Sequence, residues 1–294
     1  MGNQISLGCM RISNLELSKL EDLILKAVEN GVTFFDHADI YGGGKCEEMF
    51  GLVLKKHPSL REKITIQTKC GIREGYYEFS KEHIIRQVEK SVEALNCGYV
   101  DILLLHRPDA LLDFEEINQA FDYLYQKGLV KEFGVSNMNP LQMELFKKYV
   151  KYPIRYNQVQ LSIVHSRLIN YGLFVNMEHD LSVDHSSSIL EYCKLNDINI
   201  QAWSPLMASW EDGSFIDNPK YERLNQVLDR LKDKYQVSKN AIAVSFILRH
   251  PFDINVIVGT TSVVHLEELL ESRKVNLTRQ EWYELLQAGK DRIP

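Results

Sequence analysis

Gly31-Val32-Thr33-Phe34-Phe35-Asp36-His37-Ala38-Asp39-Ile40-Tyr41 is the stretch on which the reading of this chain turns. A run of β-branched and aromatic residues stops abruptly on a carboxylate, which predicts a buried strand running into polar chemistry. The pattern returns at Ile64-Thr65-Ile66-Gln67-Thr68-Lys69 and at Asp101-Ile102-Leu103-Leu104-Leu105-His106, so three apolar runs finish on an acid, a base and an imidazole. Reactive groups at strand ends point to a parallel barrel with its site on the C-terminal face. Tyr41 follows Asp36 by five residues, far enough for the chain to leave the strand, turn and aim a phenol back over the barrel mouth.

The flanking sequence repeats one unit, strand then helix. Gln4 to Cys9 reads as a first strand, and Ser18-Lys19-Leu20-Glu21 has the capping-box form that opens a helix with Leu20, Leu23, Ile24, Ala27 and Val28 on one face. Helices are expected at 46–57, at 81–95 with Ile84, Ile85, Val88, Val92 and Leu95 inward, and from Asp113 to Gly128. Strands are expected at 63–69, 100–106 and 130–136. Asn139-Pro140 places a cap residue before a proline at the first helical position. Strands at 155–160, 198–203 and 254–258 alternate with helices at 187–196, 220–234 and 239–249, and helices at 263–271 and 279–289 close the chain. About eight strands alternating with helices favour a (β/α)8 TIM barrel, one domain over residues 1–294, over an open sheet. Two connections, 161–186 and 204–219, exceed the usual length of about two to six residues.

Composition narrows the function. The 294 residues are 45% apolar and 25% charged, ordinary for one large core, and a net charge of −6 argues against a nucleic-acid or anionic-membrane binder. Five widely spaced cysteines without a C-x-x-C pair, and no apolar leader, predict reduced thiols in a cytoplasmic protein. Asn276-Leu277-Thr278 and Met1-Gly2 with Ser6 match a glycosylation and a myristoylation pattern, both short enough to arise by chance. His165, His179 and His185 share a long connection, but their irregular separations lack the pattern of a metal site, and no metal is expected.

Asp36, Tyr41, Lys69 and His106 form one candidate constellation. A free tyrosine is a poor proton donor at neutral pH; a buried ammonium beside it should lower its pKa, and a carboxylate behind the ammonium should keep that charged and oriented. An imidazole can hydrogen-bond a substrate carbonyl oxygen while a phenol delivers the proton as that oxygen becomes an alkoxide. Such a set reduces carbonyls if a hydride donor sits beside it. Taken singly, the residues could equally be a structural ion pair, a core histidine and a capping tyrosine; the joint placement favours chemistry. Gly42-Gly43-Gly44-Lys45 completes neither a dinucleotide fingerprint nor a P-loop and reads as a flexible turn into a helix. Ser136-Asn137, Asn157-Gln158, Trp203 and Gly259-Thr260-Thr261-Ser262 offer amides, hydroxyls, a stacking surface and a helix start that could hold phosphate.

With these residues in place the chain resembles an aldo-keto reductase from end to end. The resemblance rests on residues 31–42, on Asp101 to Asp109, on Gly134-Val135-Ser136-Asn137, on Asn157-Gln158-Val159 and on Trp203-Ser204-Pro205-Leu206. The segments HRPDALLD at 106–113 and SIVHSRL at 162–168 are similar to a bacterial branch called simply oxidoreductases. It implies NADP(H)-dependent reduction of a small aldehyde or ketone, with Asp36, Tyr41, Lys69 and His106 as catalytic tetrad and Tyr41 as proton donor. It further implies that Ser136, Asn137 and Gln158 hold the carboxamide, that Trp203 stacks on the nicotinamide, and that Ser204 and Leu206 flank the pyrophosphate. Met10 stands near the nicotinamide, and Gly259 to Glu268, with Thr260, Thr261, Ser262 and His265, surrounds the adenosine.

Several positions depart from the family pattern. Gly259 and His265 stand where a lysine and an arginine commonly meet the 2′-phosphate, Leu269 replaces an adenine-contacting asparagine, and Met10 replaces an aromatic, so NAD is possible beside NADP. The substrate pocket is expected to contain Met10, Arg11, Tyr41, Tyr76, Tyr77 and His106, with Arg11 favouring an anionic substrate, in a monomer or weak homo-oligomer. The alternatives are a non-catalytic nicotinamide-nucleotide-sensing subunit on the same fold and a metal-dependent hydrolase using Asp36, His37 and Asp39.

Overall fold

A computed structural model describes residues 4–289; Met1 and Gly2, and with them the acyl-acceptor pattern, lie outside the described residues. Eight strands form a closed parallel barrel: β1 (Ile5–Gly8), β2 (Phe34–Asp36), β3 (Thr65–Cys70), β4 (Val100–Leu105), β5 (Val130–Ser136), β6 (Ile154–Gln160), β7 (Asn199–Trp203) and β8 (Asn255–Val258), in the order β1-β8-β7-β6-β5-β4-β3-β2. Around them run α1 (Leu17–Glu29), α2 (Lys45–Lys56), α3 (Lys81–Ala94), α4 (Phe114–Gln126), α5 (Pro140–Tyr149), α6 (Arg167–Leu173), α7 (Ile189–Leu195), α8 (Glu222–Tyr235), α9 (Lys239–Leu248), α10 (Val263–Leu270) and α11 (Arg279–Gly289). Packing divides the chain into two compact units, one of residues 6–158 with 259–263 and one of the remainder. No helix among the described residues is long and apolar enough to cross a membrane.

In the first unit the strands read as buried runs because both faces are covered. Pairing sets Gly8 beside Asp36, Asp36 beside Gln67, and Lys69 beside Leu104. Phe121 of α4 stacks on Phe133 of β5 with ring centroids 3.9 Å apart. Asp113 caps α4 by accepting from the Glu115 and Glu116 amides, and Asn139 with Gln142 forms a reciprocal capping box on α5. The expected box at Ser18 is not used: α1 starts at Leu17, with Glu16 at the cap position and no side-chain bond. The inward faces are also narrower than the apolar spacing suggests, for Val28, Ile85 and Val92 are half-buried while His83 and Ser91 are buried. The three glycines after Tyr41 adopt φ of 59°, 66° and 94°, a left-handed run that side chains resist, and a Cβ on Gly42 would come within 2.8 Å of Ser13 Oγ. Their role is this fixed turn into α2.

In the second unit α9 is buried nearly all round, and Trp282 of α11 stacks on its Phe246 at 4.9 Å while donating to the Phe246 carbonyl. Both long connections carry structure that apolar periodicity does not reveal: α6 lies in the first, and a short hairpin, Met207–Ser209 with Gly213–Ser214, in the second. Ser162 Oγ donates to the Met207 carbonyl at 3.0 Å and ties the two connections together. His179 packs on Phe174 and His185 on Tyr171.

Candidate active site

The ends of β2 and β3 bring a charged hub together. Lys69 is fully buried, and its Nζ lies 2.8 Å from the Asp36 carboxylate, 2.8 Å from the His37 carbonyl and 3.2 Å from Tyr41 Oη. Three donors meet three acceptors, so the ammonium is saturated. The phenol oxygen accepts from Lys69, which leaves its own O–H to donate elsewhere. Asp36 Oδ1 also accepts from Gln67 Nε2 at 2.6 Å and from Gln158 Nε2 at 2.9 Å. Gln67 was not among the expected site residues; it stands two positions before Lys69 on β3, hence on the same face, and that spacing was the available signal.

The electrostatics follow from burial. Burial pulls the Lys69 ammonium toward neutrality, but the Asp36 carboxylate and Tyr41 outweigh it and hold the pKa above its ordinary value. For Tyr41 burial wins: it raises the phenol above 10, Lys69 opposes, and Asp36 adds to the rise. The expectation that the ammonium would bring Tyr41 below its ordinary value is therefore corrected. A buried phenolate loses more hydration than one ammonium, itself neutralised by Asp36, returns.

His106 follows β4. Its ring lies 6.2 Å from that of Tyr41, edge-on at 80°, and its pKa is driven down to about 2 by burial, then by Lys69 and Arg107. The ring is neutral, and Nδ1 is buried without a partner among the described residues. His37 is likewise neutral, at about 3, and edge-on to Phe50. The described residues hold no group of three His, Cys, Asp or Glu side chains placed for a metal. Asp36 is engaged by Lys69, and Asp39 pairs with Arg73 at 2.7 Å.

Of the expected cofactor residues of the first unit, Ser136 and Asn137 stand at the end of β5 and Gln158 near the end of β6. Ser136 Oγ donates to the Gln158 carbonyl at 3.0 Å, and Asn137, at φ 57°, donates from Nδ2 to Ser136 Oγ at 2.7 Å. Gln158 joins this set to Asp36. Met10 is 38% exposed, and Arg11 donates to the Gly259 carbonyl at 3.4 Å. Thr260 Oγ1 bridges the amide and carbonyl of Ser262, and Thr261 is exposed. Tyr76 and Tyr77 lie on an exposed hairpin, Ile72–Arg73 with Tyr76–Tyr77, and are not brought into the hub. In the second unit Trp203 is half-buried at the end of β7, followed by Ser204 at φ 52° and half-buried Leu206. His265 is exposed on α10, and the Glu268 carboxylate accepts from Asn240 Nδ2 at 3.5 Å.

A barrel with this hub at its strand ends belongs to a known class. The family model for the aldo/keto reductase family matches residues 4–290, and the chain belongs to that family. It is 32% identical over 285 residues to oxidoreductase YdhF of Escherichia coli strain K12, covering 94% of this chain and 89% of that protein. It is 33% identical over 273 residues to 6-dehydroglucose reductase of Agrobacterium fabrum strain C58, covering 89% and 85%. Among solved structures, an aldo-keto reductase of Bombyx mori in complex with NADP superposes with a TM-score of 0.73, covering 98% of this chain and 90% of that one at 19% identity, a likeness of fold. The chain is thus a (β/α)8 barrel of the aldo/keto reductase family.

Proposed function

We propose that the protein reduces an aldehyde or ketone to an alcohol with NADPH, or with NADH, Tyr41 giving the proton. The observation that supports this most is the Asp36–Lys69–Tyr41 chain, in which the phenol accepts from a saturated ammonium and keeps its own proton to give. The donor set suits the cofactor: Ser136, Asn137 and Gln158 offer amide and hydroxyl groups for a carboxamide, Trp203 an aromatic face, and Ser204 and Leu206 a turn beside phosphate. Met10, Gly259, Thr260, Thr261, Ser262, His265 and Glu268 complete the set by resemblance. Held by these residues, a reduced nicotinamide would supply the hydride that the carbonyl carbon accepts.

This chain's own residues manage the oxygen. A neutral His106 with its proton on Nε2 donates to the carbonyl oxygen and fixes its direction. Tyr41 Oη passes its proton to that oxygen as negative charge grows there, and the phenolate left behind is held by Lys69, whose charge Asp36 maintains. The raised phenol pKa keeps the donor protonated before the step. We propose that the chain over 1–294 works as one catalytic domain on small carbonyl compounds in the cytoplasm.

The test is oxidation of NADPH and NADH, followed by nicotinamide absorbance, with aromatic aldehydes, dicarbonyls and 6-dehydroglucose, on wild type and Tyr41→Phe. Turnover in wild type with its loss in Tyr41→Phe supports the reading. Failure of wild type to bind either nucleotide overturns it. Binding without turnover across the panel would favour a nucleotide-sensing subunit.

A further inference from the structure

Arg11 was expected in the substrate pocket, and its surroundings point to another role. It follows β1 directly, its side chain is exposed, and the described residues give its guanidinium no carboxylate partner. Among the described residues its guanidinium makes one long hydrogen bond, 3.4 Å from Nη2 to the Gly259 carbonyl just after β8. A guanidinium has five N–H donors, so that bond leaves most of this donor capacity unused. Gly259 has no side chain, and a Cβ placed there would lie in ordinary van der Waals contact with Arg11 Nη2 at 3.4 Å, so the guanidinium sits directly against the position of the missing side chain. Exposed Thr261, with Thr260 and Ser262, follows immediately. An exposed guanidinium with one long hydrogen bond, against a glycine that three hydroxyl residues follow in sequence, has chemistry that suits a phosphate, because its planar fork matches phosphate oxygens in pairs.

We propose that Arg11 is a cofactor-binding residue of this chain, supplying the cation for a phosphate of the dinucleotide in place of a charged side chain at position 259. The inference rests on the reductase reading above and deepens it. The phosphate is either the 2′-phosphate of NADPH or the pyrophosphate common to both nucleotides.

The experiment is titration of the purified full chain with NADPH and NADH, followed by quenching of tryptophan fluorescence, for wild type, Arg11→Met and Arg11→Lys. Loss of a charge-assisted pair should weaken binding about tenfold to a hundredfold in Arg11→Met, with Arg11→Lys between. Loss confined to NADPH assigns the 2′-phosphate; equal loss for both assigns the pyrophosphate; either supports the proposal. Wild-type affinity should also fall with rising salt, a readout that needs no variant. If wild type binds and Arg11→Met binds both nucleotides equally tightly, the proposal is overturned while the reductase reading stands. A rise in KM for anionic carbonyl substrates alone, with nucleotide affinity intact, overturns it in favour of the substrate pocket. If wild type binds neither nucleotide, both readings fail together.

Discussion

Glu47→Gln should stabilise this protein at alkaline pH and leave it nearly unchanged at acid pH. Glu47 is buried in α2, with Oε1 accepting from Thr68 Oγ1 at 2.5 Å and Oε2 from Ser91 Oγ at 2.9 Å. Among the described residues no cation pairs with it directly. Burial raises its carboxyl from 4.5 to about 7; the two hydroxyls and, more distantly, Lys69 oppose the rise, and Asp39 adds to it. The folded protein therefore holds this proton more tightly than the unfolded chain does. The associated stability is fully present below 4.5 and is lost as pH climbs through 7. At about 1.36 kcal/mol per pH unit the loss approaches about 3 kcal/mol, an upper figure for one side chain. Glutamine keeps the shape and never ionises, and the Thr68 and Ser91 hydroxyls can rotate to accept from its amide. Urea unfolding of both proteins at about pH 4 and about pH 8 measures the effect, the variant gaining on wild type at the higher pH. A stability difference that does not change with pH would refute the reasoning.

Other outcomes follow from the hub. Tyr41→Phe should lower kcat by about a hundredfold to ten-thousandfold, with nucleotide affinity by fluorescence unchanged. Because the phenol lies above 10 and must be protonated to act, the reduction rate at saturating substrates should fall only as pH rises beyond the ordinary phenol range, and His106, at about 2, should add no acid limb near neutrality; a pH–rate profile tests both. Lys69→Met leaves the Asp36 carboxylate buried without its cation and should cost about 3–5 kcal/mol in urea unfolding, much of it recovered in the double variant with Asp36→Asn.

The barrel was legible because its strands are covered on both faces and so read as unbroken apolar runs, each ending where the chain reaches polar chemistry. Asp36, Lys69 and His106 announced themselves by breaking those runs. Short elements had no such signature: the hairpin around Tyr76 and Tyr77 has two paired residues on each side, and α6 has seven residues, too few for a helical period to repeat convincingly. The approach of Arg11 to Gly259 spans 248 positions in sequence and exists only once the strands are paired. The raised pKa of Tyr41 is illegible in the sequence for a related reason. Sequence supplies the charges, but the loss of hydration that outweighs them is set by packing.

Asp36 shows how one register couples these levels. Pairing of β2 with β3 places Asp36 opposite Gln67, and the pleat then turns Lys69, two residues on, to the same side. Gln67 and Gln158 both donate to Oδ1, so two neutral amides hold the carboxylate where Lys69 needs it. Removing either amide leaves the ion pair but frees the carboxylate to rotate, whereas removing Asp36 leaves a fully buried ammonium with only neutral acceptors. The same carboxylate meets Gln158, which belongs to the set proposed for the nicotinamide carboxamide. Any displacement of Gln158 is therefore felt at Oδ1, one hydrogen bond from Lys69 and two from the phenol. On the proposed reading, Gln158 would couple the position of the nucleotide to the Asp36 carboxylate and, through it, to the charge that supports Tyr41, which is why a strand ending on Asp36 organises the chain around it.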